Sequence, residues 1–336
     1  MTSLGLAITF ATIAILVIEF LRRRQTRLGA YGWAGLIGLI AAEWLMLYGV
    51  QPVATYFTPI AWTCCILLAD AAVLAIRGRS RLHDDCRQFA WVALLSVPLW
   101  LIFEAYNLRL QNWTYTGVPT AWPLALLGYG WSFATITPGI FETADLIESF
   151  GWFRPATPVR FSKAAQRRLI ILGAICLLLP LITPQAIAAR LFFLVWVGFV
   201  FLLDPINYRL GLPSIIGDFA SGRRSRFYCL LASGFVCGWL WEFWNYWAAA
   251  NWHYIFPMFQ HWKVFEMPIP GYLGFLPFAV ECFVMYTTAA WLLRLRSVER
   301  APAPETPNAQ LVADCETELR ATARPTTENR EPSTEN

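Results

Sequence analysis

Two stretches of this chain carry the same chemistry-bearing residues in the same order. One reads EAYNLRLQNWTY over residues 104–115, and the other reads EFWNYWAAANWHY over residues 242–254. Glu104, Asn107, Asn112, Trp113 and Tyr115 match Glu242, Asn245, Asn251, Trp252 and Tyr254. The second set trails by 138 positions for the first two residues and 139 for the rest. The match continues into TPGIFETADLI, with Pro138 and Glu142, and LPFAVECFVMY, with Pro277 and Glu281. A carboxyl held in apolar surroundings can keep its proton at neutral pH. It is then an acid for a reaction kept away from water. Two such carboxyls side by side divide the work, one ionised and one protonated. A short loop joins the helix of Glu104 to that of Glu142, so these two are expected to approach each other, as are Glu242 and Glu281.

Glu281, Glu242, Glu142 and Glu104 are therefore the candidate catalytic groups. Asn245, Trp252, Tyr254, Asn107, Trp113 and Tyr115 are candidates for binding a substrate. The competing reading is structural: buried acids can accept bonds from Trp and Asn N–H groups across helices. Asp70 and Asp204 fit helix-end or interhelical bonding as well as chemistry, and His253 reads as an interfacial residue with no role.

The elements that must hold these groups are membrane helices. Of the 336 residues 57% are hydrophobic and only 14% charged, where a soluble domain carries about a quarter charged; the mean hydropathy is +0.47. Runs of roughly 20 apolar residues fall near 4–20, 31–50, 57–76, 89–108, 122–148, 168–187, 190–208, 227–248 and 268–293. Asp204 and Pro205 make the seventh the weakest. The expected fold class is an all-α polytopic membrane protein of about nine transmembrane helices, in two parallel four-helix repeats plus an extra N-terminal helix. The expected organisation is an anchor helix over 1–30, repeats over 31–150 and 151–296, and a disordered tail over 297–336, rich in Pro, Thr and Glu.

Arginines gather in alternate loops: Arg22, Arg23, Arg24 and Arg27, then Arg77, Arg79 and Arg81, then Arg154 and Arg160, then Arg223, Arg224 and Arg226. The positive-inside rule makes those loops cytoplasmic, with the N-terminus outside and the C-terminus inside, as in a bacterial inner membrane. The net charge of +4 thus reports orientation, and no nucleic-acid partner is expected. The eight cysteines form no CxxC and read as small apolar residues. Between His253 and Phe275, Pro257, Pro268, Pro270, Gly271 and Gly274 break the helix. That segment is expected to re-enter or cap the outer mouth, where the aromatics of a chain with 17 Trp could grip an apolar ligand and face a cation.

An acid, then W-x-Y, then a Gly and a Pro shortly before a membrane Glu resembles the integral-membrane lycopene cyclase domain. The residues that carry the likeness are Glu242, Trp252, Tyr254, Gly271, Pro277 and Glu281. A second copy runs through Glu104, Trp113, Tyr115, Pro138 and Glu142. Where that family has Pro-x-Glu-Glu, this chain has PFAVE. The resemblance implies an acid-initiated reaction on an isoprenoid: a carboxylic acid protonates a double bond, aromatic faces stabilise the carbocation, and a second carboxylate removes a proton. It implies no metal and no cofactor. The other readings open at this point are a carrier or lipid-binding protein made of two rocking halves, and a structural or assembly factor.

Overall fold

The structure, a computed structural model, describes residues 1–295. The expected tail over 297–336 and Cys315 lie outside the described residues. The helices are α1 (Thr2–Arg23), α2 (Ala30–Leu47), α3 (Phe57–Arg77), the short α4 (Arg81–Asp84), α5 (Cys86–Leu110), α6 (Trp122–Ala134), α7 (Ile136–Ser149), α8 (Lys163–Ile182), the short α9 (Gln185–Ala188), α10 (Phe192–Arg209), the short α11 (Ile215–Ala220), α12 (Ser225–Trp247) and α13 (Tyr272–Leu292). Among the described residues nine helices are long and apolar enough to cross a membrane, counting α6 and α7 as one span over Trp122–Ser149. The chain is a predominantly helical protein of multi-pass membrane type.

Proline and glycine explain the local breaks. The span Trp122–Ser149 is interrupted at Thr135, and Pro138 falls in the first turn of α7, where its missing N–H removes no helical bond. The run interrupted by Asp204 and Pro205 is still a helix, α10. Asp204 there accepts the backbone N–H groups of Ile215 at 2.7 Å and Ile216 at 2.9 Å, holding the start of α11. Between membrane helices the hydrophobic drive is weak, so close packing and hydrogen bonds must do the joining. Gly234 shows the close packing: a Cβ there would stand 2.2 Å from the carbonyl oxygen of Phe275, so α12 and α13 meet almost backbone to backbone. α12 also packs on α7, α7 on α3, and α1 against α12.

The loops form two layers. On one side lie the arginine-rich connections, tied by Gln25 N to Ala75 O at 2.9 Å and Val159 N to Phe219 O at 2.8 Å. On the other side lie four short strands, which correct the all-α expectation. β1 (Trp113–Thr116) pairs antiparallel with β2 (Asn251–Tyr254), and β3 (Lys263–Val264) pairs with β4 (Met267–Pro268). The segment after His253 therefore folds as the end of β2, a small hairpin and a 3₁₀ turn over Ile269–Gly271 before α13 begins.

In the ribbon of β1 and β2 Trp113 faces Tyr254, Thr114 faces His253, Tyr115 faces Trp252 and Thr116 faces Asn251. Side chains alternate along a strand, so Trp113, Tyr115, Trp252 and Tyr254 share one face. Gly117, at φ +67, lies against the chain beyond α12, where an added Cβ would stand 1.9 Å from the carbonyl oxygen of Ala249.

Candidate functional site

Beneath the inner face of this ribbon is a cavity enclosing about 150 Å³, within a cleft of about 1160 Å³ that includes open solvent. Its lining comes from α3, α5, α6, α7, α10, α12, α13 and the ribbon. More than half of the lining residues are aromatic, and none carries a charge. Trp113, Tyr115, Trp252 and Tyr254 form its roof. Deeper in, the Trp62 ring lies 5.0 Å from that of Trp241, and Trp100 lies 5.8 Å from Phe278 in an edge-to-face contact. The faces of aromatic rings carry partial negative charge, the surface a cation prefers.

The glutamates stand behind this wall. Glu104, on α5, receives three donors on one oxygen, Oε1: the Trp100 indole N–H at 2.8 Å, the Trp113 indole N–H at 3.2 Å and the Tyr115 hydroxyl at 2.5 Å. Glu242, on α12, is fully buried and receives one, the Tyr254 hydroxyl at 2.8 Å, while its Oε2 has no partner. The second indole differs in aim: Trp252 Nε1 donates to the Tyr254 oxygen at 3.0 Å instead of to the acid. Burial, reinforced by the neighbouring Glu104 and Glu242, pushes the Tyr115 and Tyr254 hydroxyls well above the ordinary tyrosine value. Both phenols hold their protons and act as donors.

The asparagines have a different task from the one expected of them. Asn107 Nδ2 donates to Trp113 O at 2.9 Å, and its Oδ1 accepts from Asn112 N at 2.8 Å. Asn245 Nδ2 donates to Trp252 O at 2.9 Å, and its Oδ1 accepts from Trp252 N at 2.8 Å. Each ties its helix end to the strand that follows, and neither lines the cavity. An asparagine can satisfy a backbone N–H and C=O together, which a turn leaving a helix requires.

The expected carboxyl pairs do not form. At 1.5 Å per residue Glu104 lies roughly 9 Å from the ribbon-side end of α5, while Glu142 lies roughly 10 Å from the arginine-side end of α7. Glu281 accepts the backbone N–H of Phe199 at 3.2 Å and shares no partner with Glu242. None of the four glutamates lines the cavity; Trp113, Tyr115, Trp252 and Tyr254 do. Trp62, Trp100, Trp196 and Phe278 also line it and were not singled out in the sequence; Trp241, the residue before Glu242, lines it too. For Trp100 a signal existed, since it stands four residues before Glu104 on one helix face. His253 has partners as well: Glu266 at 3.1 Å and the Thr116 hydroxyl at 3.1 Å, on the outer face of the ribbon.

No group of three or more His, Cys, Asp or Glu among the described residues is placed to hold a metal ion. No family model, no curated protein and no solved structure matches the chain.

Proposed function

We propose that the chain is a multi-pass membrane enzyme that protonates an apolar, isoprenoid-type substrate in the aromatic cavity and so drives its isomerisation or cyclisation. One observation carries this reading: two tyrosine hydroxyls in an uncharged wall are each bonded to a carboxyl just behind it. The hydrogen-bond inventories divide the roles. Three donors on one oxygen of Glu104 suit a carboxylate, whereas a single donor on Glu242 with a bare second oxygen suits a carboxylic acid.

In the forward step Glu242 gives its proton to the Tyr254 oxygen as the Tyr254 O–H proton moves to an alkene carbon. The alkene π pair becomes the new C–H bond and leaves a carbocation on the neighbouring carbon. The faces of the surrounding Trp and Phe rings stabilise that cation. A ring closes if a second double bond supplies its pair. Tyr115 then passes its proton to Glu104 and takes one from the carbon next to the cation, whose C–H pair becomes a double bond. Substrate and product are isomers, and the proton returns from Glu104 to Glu242 before the next turnover. An apolar space of about 150 Å³ is the size that holds a benzene molecule in a protein core. The enclosed part of the cavity thus suits one end group of a long molecule, with the remainder in the cleft and the bilayer.

The resemblance to the integral-membrane lycopene cyclase domain points the same way. So does the repeat architecture we infer, two parallel four-helix units with α1 outside them: the matched Asn and Tyr residues make matched bonds. By the arginine distribution we place the ribbon and cavity on the outer side of a bacterial inner membrane, with the N-terminus outside. A carrier whose halves rock apart would have to break the ribbon that joins them, which weighs against that alternative. The test is expression in a bacterial host that accumulates linear isoprenoids, beside a Glu242→Gln, Tyr254→Phe variant. A product isomeric with its precursor, formed only by the unaltered chain, supports the reading. Unchanged extracts, with both proteins folded in the membrane, would remove it for those isoprenoids.

A further inference from the structure

The outer face of the ribbon, turned away from the cavity, carries a chain of three polar side chains that the aromatic site does not use. Side chains alternate along a strand, so with the aromatics facing inward Thr114, Thr116 and His253 face outward. His253 reaches two ways. Its Nε2 lies 3.1 Å from the Thr116 hydroxyl oxygen. Its Nδ1 lies 3.1 Å from Oε2 of Glu266, in the turn between β3 and β4. Thr116 is exposed, whereas His253 and Glu266 are half-buried. None of the three lines the cavity, and all three lie outside the membrane-spanning helices.

A hydroxyl is a weak nucleophile until a base within hydrogen-bond reach takes its proton, and the base works best when a third group orients it. Thr116, His253 and Glu266 stand in that order. The Glu266 carboxylate accepts from His253 Nδ1–H, which fixes the tautomer and leaves Nε2 as an acceptor toward Thr116. In the resting arrangement the Thr116 hydroxyl donates to Asn251 Oδ1 at 2.6 Å. Rotation about its C–O bond turns the same proton toward His253 Nε2. Glu266 is itself held in place. Lys263 Nζ stands 3.8 Å from its Oε2 and donates to the Tyr254 carbonyl oxygen at 3.4 Å. The neighbouring Phe265 is buried, its ring 6.0 Å from that of Phe243 and 5.5 Å from that of Tyr246, both on α12. The segment between β2 and β3 exposes Ile255, Phe259 and Trp262, apolar side chains next to a polar reaction centre.

We propose that Thr116, His253 and Glu266 form a second reaction centre, on the water side of the ribbon, that takes the acyl group from a carboxylic ester with an apolar acyl chain. His253 Nε2 takes the Thr116 hydroxyl proton as the Thr116 oxygen bonds to the ester carbonyl carbon. The bond from that carbon to the alcohol oxygen breaks, and the alcohol leaves with the proton from Nε2. An acyl-threonine remains. Water then attacks the same carbon and gives a proton to Nε2, the bond to the Thr116 oxygen breaks, and that oxygen takes the proton back as the carboxylic acid departs. Thr116 and His253 touch the reacting atoms, and Glu266 is a positioning residue that acts through His253. The matching stretch of the chain has no copy of this centre, since Thr114 stands 139 positions before His253 in its place. The ester is supplied by a membrane lipid or by a soluble molecule; the chemistry is the same.

The test treats the full chain in detergent with p-nitrophenyl butyrate, follows release of p-nitrophenol, and locates the acyl group by mass spectrometry after a rapid quench. A second arm places the chain in phosphatidylglycerol vesicles and measures released fatty acid. We expect a butyryl group on Thr116 that is absent in Thr116→Val and retained in Thr114→Val. His253→Gln should slow acylation by about 10²–10⁴-fold. Glu266→Gln should lower the rate at saturating ester and leave the half-saturating concentration unchanged. Fatty acid released in the vesicles assigns the centre to lipid esters, and reaction with the soluble ester alone assigns it to soluble ones. Acylation confined to other residues, or Thr116→Val and His253→Gln reacting as fast as the unaltered chain, would overturn the proposal. So would no reaction with either ester, which leaves the three residues as a fastening between hairpin and ribbon. Should His253→Gln fail to fold, Thr116→Val compared with Thr114→Val decides alone.

Discussion

Tyr254 is the cross-strand partner of Trp113. The hydroxyl bonded to Glu242 and the indole bonded to Glu104 therefore stand next to each other on one face of the ribbon. Facing pairs of this kind have Cβ atoms about 4.5–5.5 Å apart, and the diagonal pair Tyr115 and Tyr254 about 7–8 Å. The donors to two carboxyls on different helices thus meet on one small patch of cavity roof, set side by side by a pair of four-residue strands.

The two tyrosines are not equivalent, and removing their hydroxyls separates them. In Tyr115→Phe, Glu104 keeps the Trp100 and Trp113 donors. In Tyr254→Phe, Glu242 loses its one donor and Trp252 Nε1 loses its acceptor. Leaving buried polar atoms unpaired costs about 1–3 kcal/mol each. Thermal unfolding in detergent should show the larger loss for Tyr254→Phe. If the tyrosines relay protons, each variant also loses about 10²–10⁴-fold in product formation. Equal unfolding shifts would contradict the asymmetry described here.

Gly117 should tolerate no side chain. Its positive φ alone costs Ala about 1–2 kcal/mol, and the Cβ would collide with the Ala249 carbonyl. Gly211 has a similar φ, +71, and nothing within 4 Å of an added Cβ. Gly117→Ala should lower the unfolding temperature clearly more than Gly211→Ala. The same shift in both would mean that the close approach under the ribbon does not exist in solution.

Asn107→Ala and Asn245→Ala each remove the side-chain ties between a helix end and the strand after it, three for Asn107 and two for Asn245. Amide hydrogen exchange in β1 and β2 should rise in both variants with no ligand present. Unchanged exchange, combined with weaker ligand binding, would restore the asparagines to the substrate-contacting role first expected of them.

Cys86, at the start of α5 on the arginine-rich side, is the exposed cysteine among the described residues. In a Cys315→Ser background, a membrane-impermeant maleimide should label it in inverted vesicles and leave it unlabelled in intact spheroplasts. The opposite pattern would turn the chain over in the membrane and put the ribbon inside.

Much of the helical frame was legible because the bilayer writes it plainly: twenty apolar residues and a charged turn, repeated. α10 was legible too, despite Asp204 and Pro205. Their effect was misjudged because the partners of Asp204, Ile215 N and Ile216 N, lie beyond the helix. The strands were harder to see. WTYT and NWHY are four residues each, too short for an alternation to stand out, and they become strands through each other. That Glu104 and Tyr115, and Glu242 and Tyr254, belong to matching arrangements was readable from their recurrence, but the depth of each acid was not. Pairing Glu104 with Glu142 assumed that neighbouring helices bring their acids to one level, whereas Glu104 sits six residues from the ribbon-side end of α5 and Glu142 seven from the arginine-side end of α7. The aromatic wall was foreshadowed only by the tryptophan count, which cannot say which rings converge.

The ribbon draws one strand from before residue 150 and one from after it, and so works as a seam. The two parts of the chain hold each other by backbone bonds and also by helix packing, and the mating edge is only four residues long. A chain cut within residues 150–162, the arginine-side connection between α7 and α8, would still carry one half of the fastening on each piece. Recognition between such pieces would be a matter of strand register: a slip of one residue would turn Tyr254 and Trp252 out of the cavity and bring His253 in. The closure of the cavity thus doubles as a check that the right halves have met in the right alignment.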